Sequence, residues 1–261
     1  MDTIGFIGAG NMAFAIAGGI QNPVCLYDHF PAAYEKFQGS RFTVCDSVSA
    51  LAEQSDLLVL SVKPQNFTDI LPELSAALEG KKRLIVSIAA GVTLKRLEAA
   101  LPGQKIVRVM PNTPLLVGVG AAVLCRGQLV DDEAFAKARQ LFASGGVTVE
   151  IDESIMNAAV AIHGSSPAIF FEMADAAAEY GVSAGLTRKD ALRLFCQTMM
   201  GSAKMLMTDS RSPKELSKAV CSPGGTTLAM LDVLKQDDWF KKMIDSFDAC
   251  TARADELAEN A

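Results

Sequence analysis

A loop of sequence Ser-Pro-Gly-Gly-Thr-Thr at 222–227 has the residue types and spacing to bind a small anion. The proline and the paired glycines end one predicted helix, and the two threonines open the next. The first N–H groups of that helix have no partners within it, so together with the helix dipole they favour a carboxylate. An ordinary helix connection with a hydroxyl cap has the same pattern, and the loop alone leaves both interpretations open.

A glycine-rich turn at the other end of the chain has the spacing of a dinucleotide site. Residues 4–13, Ile-Gly-Phe-Ile-Gly-Ala-Gly-Asn-Met-Ala, place Gly-x-Gly-x-x-Ala after an apolar run and before a helical one. Gly8 permits a tight turn, Gly10 lets the backbone approach a pyrophosphate, and Ala13 lets the helix pack closely on the sheet. Asp28 lies about 20 residues further on, where a ribose hydroxyl would be held. These features together predict dinucleotide binding.

Asp28 also bears on which cofactor is used. Its negative charge would meet the 2′-phosphate of NADP, which favours NAD. The neighbouring His29 could offset part of that charge. The sequence therefore leaves both NADPH and NADH open.

Three further segments are predicted to follow strands, at the edge of the sheet that faces the ligand. Ser-Val-Lys-Pro at 61–64 follows one strand, and the small residues Ala-Ala-Gly at 89–91 follow the next and would let a flat ring approach. In Met-Pro-Asn-Thr-Pro at 110–114, two prolines would hold Asn112 rigidly. There it could form a hydrogen bond with a carboxamide or with the substrate.

The elements that must position these segments follow from the apolar pattern. Strands this apolar are buried on both faces, which is typical of a parallel sheet covered by helices. After about Ile151 no strand is predicted, and patterns of the capping-box type begin helices at Thr187 and Ser212. We therefore expect an α/β fold, with a Rossmann-type domain over 1–151 and an all-α dimerisation domain over 152–261. The predicted strands are Thr3–Ile7, Val24–Tyr27, Thr43–Val44, Leu57–Val62, Leu84–Ser87, Ile106–Val109, Val117–Cys125 and Gly146–Glu150.

Composition argues against several classes of protein. Of the 261 residues 50% are apolar and 21% charged, and the net charge of −6 with no basic stripe argues against nucleic acid as a partner. No uncharged apolar run reaches membrane-spanning length, and the first strand begins too early for a signal peptide. Six scattered cysteines and two histidines form no zinc or iron–sulfur pattern and indicate reduced thiols. We expect a cytoplasmic protein without a metal site.

Four segments together resemble the pyrroline-5-carboxylate reductase family. They are residues 4–13, Val-Lys-Pro-Gln at 62–65, Met-Pro-Asn-Thr-Pro at 110–114, and the loop at 222–227. The resemblance runs in order over essentially the whole chain. It implies reduction of the cyclic imine 1-pyrroline-5-carboxylate to L-proline with NADPH or NADH, and homodimers that often assemble further.

The resemblance also implies roles for individual residues. Ser222, Gly225 and Thr226 would hold the substrate carboxylate, and Thr227, as the catalytic residue, would place its hydroxyl against the ring nitrogen. The cofactor-binding residues that it implies are Phe6, Ile7, Gly8, Ala9, Gly10, Asn11, Met12, Ser61, Val62, Lys63, Pro64, Ala89, Ala90 and Gly91.

The chain departs from the family at two places in the substrate region. His163-Gly-Ser-Ser stands where the family commonly has Ser-Gly-Ser-Gly, and Cys221 stands where Thr or Ser is usual. His163 is thus a rival proton donor, although a protonated imine is already electrophilic and needs no strong general acid. Two other functions stay open: a β-hydroxyacid dehydrogenase, in which Lys204 would be the acid/base, and a nucleotide-sensing protein without catalysis.

Overall fold

A computed structural model describes residues 1–259, which divide into two compact units. The first consists of residues 1–165 and 250–259, and the second of Ser166–Ala249. The strands are β1 (Ile4–Ile7), β2 (Val24–Tyr27), β3 (Phe42–Val44), β4 (Leu57–Leu60), β5 (Leu84–Ser87), β6 (Lys105–Pro111), β7 (Gly120–Arg126) and β8 (Gly146–Glu150). The helices are α1 (Asn11–Gly18), α2 (Val48–Gln54), α3 (Phe67–Ala77), α4 (Leu94–Ala100), α5 (Asp132–Ala143), α6 (Met156–Ala159), α7 (Ser166–Ser183), α8 (Arg188–Thr208), α9 (Pro213–Ala219), α10 (Thr226–Gln236) and α11 (Trp239–Glu259).

The first unit is built on one eight-stranded sheet with the order β3-β2-β1-β4-β5-β6-β7-β8. The strands pair in parallel except that β6 and β7 pair antiparallel. The predicted parallel sheet is therefore confirmed for β1 to β6, and β7 and β8 run the opposite way. The reason is the short connection from β6 to β7, since a parallel return needs a long crossover. The ends of β1, β2 and β4 lie side by side at the carboxyl edge.

Helices cover both faces of this sheet, as the apolar strands predict. Phe6 and Ile7 are both fully buried, and they point to opposite faces. Phe6 packs in a core formed with α1 and α5, whereas Ile7 packs in a core formed with α2, α3 and α4. This is the doubly wound arrangement of a Rossmann fold.

The strand predicted over 117–125 begins later than expected. Val117 ends a 3-10 turn at Thr113–Val117, and β7 begins only at Gly120. Gly118 adopts a left-handed conformation, with φ of +75°, and ends the turn. The segment between β2 and β3 also contains a 3-10 turn, at Pro31–Tyr34.

The second unit contains helices and, within residues 166–249, no strand. Both predicted helix starts are confirmed. The Thr187 side chain accepts a hydrogen bond from the Asp190 N–H, and Ser212 forms a complete capping box with Glu215. No helix in the described part of the chain is both long enough and apolar enough to span a membrane.

The boundary expected after residue 151 coincides with the end of the sheet and not with the division between the compact units. Residues 152–165 belong to the first unit because Met156 is fully buried in its core. The end of α11 belongs there too, and Asn157 Nδ2 donates to Asp255 Oδ1 at 2.7 Å. These contacts join residues about a hundred positions apart in the chain, which no local pattern reveals.

A buried ion pair joins β6 to the segment that follows the sheet. The Arg108 side chain is 3% exposed, and its Nη1 lies 2.6 Å from Glu153 Oε1. The same oxygen accepts the Leu94 N–H at the start of α4, at 2.8 Å. Nε and Nη2 of Arg108 have no partner among the described residues. The carboxylate of Glu153 is therefore the group that balances the charge of the buried guanidinium.

The Glu153→Ala substitution is expected to lower the free energy of unfolding by about 2–3 kcal/mol, because it leaves the buried Arg108 guanidinium without a charged partner. The measurement is urea unfolding at a fixed protein concentration. Glu150→Ala is the matched control, since Glu150 pairs with the more exposed Arg126 and should cost under about 1 kcal/mol. Equal losses in the two variants would contradict a special role for the buried pair.

Candidate active site

The turn from β1 into α1 can be made only with glycine at position 8. Gly8 has φ of +100°, and a Cβ there would lie 2.7 Å from the carbonyl carbon of Ser61 and 2.8 Å from the Val62 nitrogen. The Gly8 N–H donates to the Tyr27 carbonyl at 2.7 Å. The turn is therefore pressed against the chain that leaves β4 and is held by the end of β2.

Ser61 is predicted to line the cofactor site, and the structure shows that it braces this turn. Its N–H donates to the Ile7 carbonyl at 2.8 Å. Its hydroxyl lies 2.5 Å from the Gly8 carbonyl oxygen and 3.1 Å from that of Ile7. The Ser61 hydroxyl is thus used within the protein, and it fixes the backbone that would face a ligand.

The start of α1 has room for a pyrophosphate. Its N-cap is Gly10, which has no side chain to cap the helix, and a Cβ at Gly10 would meet nothing within 4 Å. The first N–H groups of the helix, at Asn11 and Met12, point out of the helix start. Their direction and the helix dipole suit a pyrophosphate, so these residues fit a dinucleotide.

Asp28 follows β2 beside this turn. Its Oδ2 accepts the Ala9 N–H at 2.7 Å, and its Oδ1 accepts the Phe30 N–H at 3.0 Å. The Tyr34 hydroxyl accepts the Asp28 N–H at 2.6 Å and donates to the Asp28 carbonyl at 2.7 Å. Burial raises the pKa of Tyr34, in keeping with a hydroxyl that stays protonated and donates.

Several of the predicted cofactor residues of the first unit line two cavities at the carboxyl edge of the sheet, whereas Phe6, Ile7, Ala9, Asn11, Met12, Ala89 and Asn112 line neither. The Phe30 side chain, which the sequence analysis missed, is 71% exposed and lines the smaller cavity. Arg253, near the end of α11, lines the larger cavity. No sequence motif indicates this role, because Arg253 lies more than 150 residues after Pro64, Ala90 and Gly91 in the chain. The smaller cavity, of about 390 Å³, is lined by the predicted Gly8, Gly10, Asp28, Ser61, Val62 and Lys63. The larger one, of about 680 Å³, is lined by the predicted Pro64, Ala90 and Gly91, whereas Ala89 is buried beside it.

The side chains of Asn112 and His163 both contact backbone groups of neighbouring segments. Asn112 Oδ1 accepts the Ala121 N–H at 2.8 Å, and its Nδ2 donates to the His163 carbonyl at 3.1 Å. The His163 ring nitrogens lie 2.9 Å from the Met110 carbonyl oxygen and 2.6 Å from that of Ala159. Both side chains are therefore engaged by backbone groups, which favours a positioning role for each over contact with a ligand.

The loop at 222–227 lies in the second unit and keeps its helix start open. Gly225 is the N-cap of α10 and makes no side-chain cap, and its N–H donates to the Ser222 carbonyl at 3.0 Å. Gly224 has φ of +68°, which favours glycine. No hydrogen bond engages the hydroxyls of Ser222, Thr226 or Thr227 within the described residues. Since α8 and α9 are capped by their own hydroxyls, the open start of α10 favours the anion-binding interpretation.

Other candidate groups find less support in the geometry. Lys204 lies on α8 with an exposed side chain, and its carbonyl accepts the Thr208 hydroxyl. Within the described part of the chain, no three His, Cys, Asp or Glu side chains converge on a metal position.

Comparison with known families and proteins accounts for both units. Residues 153–257 match the family described as pyrroline-5-carboxylate reductase dimerisation, and residues 3–91 match the one described as NADP oxidoreductase coenzyme F420-dependent. The chain is 35% identical over 269 aligned positions to pyrroline-5-carboxylate reductase of Escherichia coli, with 98% of each chain covered. The chain belongs to the pyrroline-5-carboxylate reductase family. It is also 34% identical to the Arabidopsis thaliana enzyme of that name, over 98% of this chain and 96% of the relative.

Solved structures of family members have the same fold. The reductase from Coxiella burnetii superposes with a TM-score of 0.90 at 32% identity, covering 98% of each chain. The Plasmodium falciparum pyrroline carboxylate reductase, solved with NADP bound, gives a TM-score of 0.88 at 28% identity, again over 98% of each chain. The predicted fold class, a Rossmann domain followed by a helical dimerisation domain, is confirmed.

Replacing Gly10→Ala is expected to weaken NADH and NADPH binding by about tenfold or more, because the new methyl occupies the space over the start of α1. Thermal stability should stay near that of the wild type, since the methyl touches nothing in the protein itself. Cofactor affinity is measured by fluorescence titration.

Gly18→Ala on the same helix is the control, because a Cβ there also meets nothing within 4 Å and lies at the other end of α1. It should bind cofactor normally. Unchanged affinity in Gly10→Ala would mean that the pyrophosphate does not lie over this helix start.

Proposed function

We propose that this chain reduces 1-pyrroline-5-carboxylate to L-proline by hydride transfer from NAD(P)H, the last step of proline biosynthesis. The observation that carries the proposal is the family membership together with two open helix starts, at α1 and α10, each suited to one anionic partner. In the reaction the ring carbon of the imine gains a hydride and the ring nitrogen gains a proton. When bound, NAD(P)H supplies the hydride.

The residues of the first unit hold the cofactor mainly through their backbone. Phe6 and Ile7 have buried side chains, so they contribute through the strand that carries the turn. Gly10, Asn11 and Met12 present N–H groups at the start of α1. The N–H groups of Gly8 and Ala9 are used within the protein, and they and the Ser61 hydroxyl hold the turn in place. Lys63 is exposed at the same edge of the sheet, where its charge suits a phosphate.

The loop of the second unit binds the substrate. N–H groups at the start of α10, with the hydroxyls of Ser222 and Thr226, hold the carboxylate of the imino acid. Thr227 places its hydroxyl against the ring nitrogen, where it orients the imine and its proton. Binding through the carboxylate fixes the plane of the ring, and such orientation is the main catalytic contribution required of the protein.

No strong acid is needed for this chemistry, because a protonated imine is already electrophilic. The two ring nitrogens of His163 lie 2.6 Å and 2.9 Å from backbone carbonyl oxygens, so neither faces a ligand, which argues against His163 as the proton donor. His163 and Asn112 are therefore positioning residues.

The second unit also serves self-association. Its described surface exposes large apolar side chains such as Phe171, Tyr180 and Met207, more than a solvent-facing domain usually shows. Residues 153–257 match a dimerisation family, so the chain forms homodimers. We assign residues 1–151 to cofactor binding and residues 152–261 to substrate binding and dimerisation, and we place the enzyme in the cytoplasm.

The proposal is tested by adding 1-pyrroline-5-carboxylate to the purified protein with NADH or NADPH and following proline formation. Turnover of β-hydroxyacids with NAD(P)⁺ and no turnover of the imine would favour the dehydrogenase alternative. Cofactor binding with no turnover of either substrate would favour a nucleotide-sensing protein.

Thr227→Ala and Gly225→Ala are each expected to lower kcat/KM for the imine by about tenfold to a hundredfold, with cofactor affinity nearly unchanged. Thr227→Ala removes the hydroxyl at the ring nitrogen. Gly225→Ala presses its methyl onto the Ser222 hydroxyl and carbonyl and so displaces a carboxylate contact. Steady-state kinetics and a separate cofactor titration distinguish the two effects.

Thr208→Ala is the control for Thr227→Ala, because its hydroxyl only donates within α8, to the Lys204 carbonyl. It should keep wild-type kinetics. A loss of cofactor binding in both loop variants, or normal imine reduction in both, would contradict the assignment of this loop to the substrate.

A further inference from the structure

We propose that Asp28 makes this enzyme prefer NADH to NADPH, by rejecting the 2′-phosphate that distinguishes the two cofactors. The inference rests on the proposed function, since it names the reductant used at that same site. A member of the family, from Plasmodium falciparum, has been solved with NADP bound. Whether this chain also accepts NADPH depends on its own side chains around the ribose.

The carboxylate of Asp28 lies where the ribose of a dinucleotide is bound in this fold. In Rossmann domains an acidic residue after the second strand accepts the ribose 2′-hydroxyl, whereas an arginine nearby accommodates a 2′-phosphate. Asp28 directly follows β2, and its Oδ2 accepts the N–H of Ala9 within the glycine turn at 2.7 Å. Each carboxylate oxygen has a further lone pair, so hydroxyls of an unphosphorylated ribose can still be accepted.

The carboxylate cannot easily move aside for a phosphate. Its Oδ1 accepts the Phe30 N–H at 3.0 Å, and the Tyr34 hydroxyl bonds both the N–H and the carbonyl of Asp28. Rotating the side chain away would leave the Ala9 and Phe30 N–H groups without their acceptor. A 2′-phosphate, with a charge of about −1.5 to −2, would therefore be held against a fixed negative charge.

Among the described residues, no lysine, arginine or histidine forms an ion pair with Asp28. Lys63 lines the same cavity, but it follows β4, and β1 lies between β4 and β2. Two strand spacings, about 10 Å, separate these positions. Lys36 donates to Asn11 Oδ1 at 3.0 Å, and Arg41 Nη2 donates to the Ala17 carbonyl at 2.7 Å.

His29 is then the basic neighbour of Asp28 in this cavity. Its Nδ1 lies 3.5 Å from the Tyr27 hydroxyl oxygen, and its ring packs edge-on against the Tyr27 ring, 5.5 Å away. One imidazole does not supply the bidentate, charge-assisted contacts with which a guanidinium binds a phosphate. The site is therefore complementary to a ribose and not to a phosphorylated ribose.

The preference is tested by measuring kcat/KM for NADH and for NADPH at saturating 1-pyrroline-5-carboxylate. The wild type should favour NADH by about tenfold or more. Asp28→Asn removes the charge and keeps an acceptor for only one of the two backbone N–H groups. It should reduce that ratio by about tenfold, mainly through a lower KM for NADPH. Asp28→Ser, which also makes room, should reduce the ratio further.

Asp56→Asn is the matched control. Asp56 also accepts a backbone N–H, that of Thr3 at 2.9 Å, but it lies at the opposite edge of the same sheet. It should leave the ratio unchanged. A wild type that favours NADPH, or a ratio that does not respond to either Asp28 variant, would overturn the inference.

A binding experiment separates this inference from the proposed function and needs no variant. The affinities of the wild type for 5′-AMP and 2′,5′-ADP are compared by calorimetry in the absence of imine. Tighter binding of 5′-AMP supports the role of Asp28 even if the protein reduces no imine. Equal or tighter binding of 2′,5′-ADP overturns that role even if proline is formed.

Discussion

The turn between β1 and α1 is the constraint on which the cofactor side of the molecule depends. Gly8 lies so close to the backbone after β4 that no Cβ fits, and its N–H is held by the last residue of β2. The Ser61 hydroxyl then binds the Gly8 carbonyl, and the Asp28 carboxylate binds the Ala9 N–H. Three strand ends therefore meet at one turn, and the helix that follows begins where its N–H groups can face a ligand.

The same physical device recurs at the start of α10. Both α1 and α10 begin after a glycine, and neither start receives a hydrogen bond from a capping side chain. Several other helices are capped by a side chain, as α2 is by Ser47 and α5 by Asp131. In a capped helix, a side chain already occupies some of the free N–H groups that could bind an anion. The starts of α1 and α10 leave these groups available, and the proposed function assigns them to a pyrophosphate and a carboxylate.

Several polar residues that look chemical in the sequence are used to hold the backbone. Ser61 braces the glycine turn, and Asn112 and His163 connect the end of β6 to the segment before α7. Burying a polar group without a partner is costly, so hydrogen bonds to backbone groups are the commonest use of such side chains. The proposed reaction agrees with this use, since a protonated imine requires orientation more than it requires an acid.

The amino-acid sequence by itself determined the strands β1 to β6, the starts of α8 and α9, the glycine turn and the loop before α10. These features depend on residues within a few positions of each other, such as Ser212 and Glu215 or Gly8 and Gly10, and on apolar runs buried on both faces. Only the tertiary structure decided that Ser61 and Asn112 are committed to backbone partners. It also decided that β7 runs antiparallel, that Arg108 pairs with Glu153, and that the end of α11 lines a cavity with Ala90. Each of these depends on contacts between segments that the chain brings together only by folding, and no local spacing encodes them.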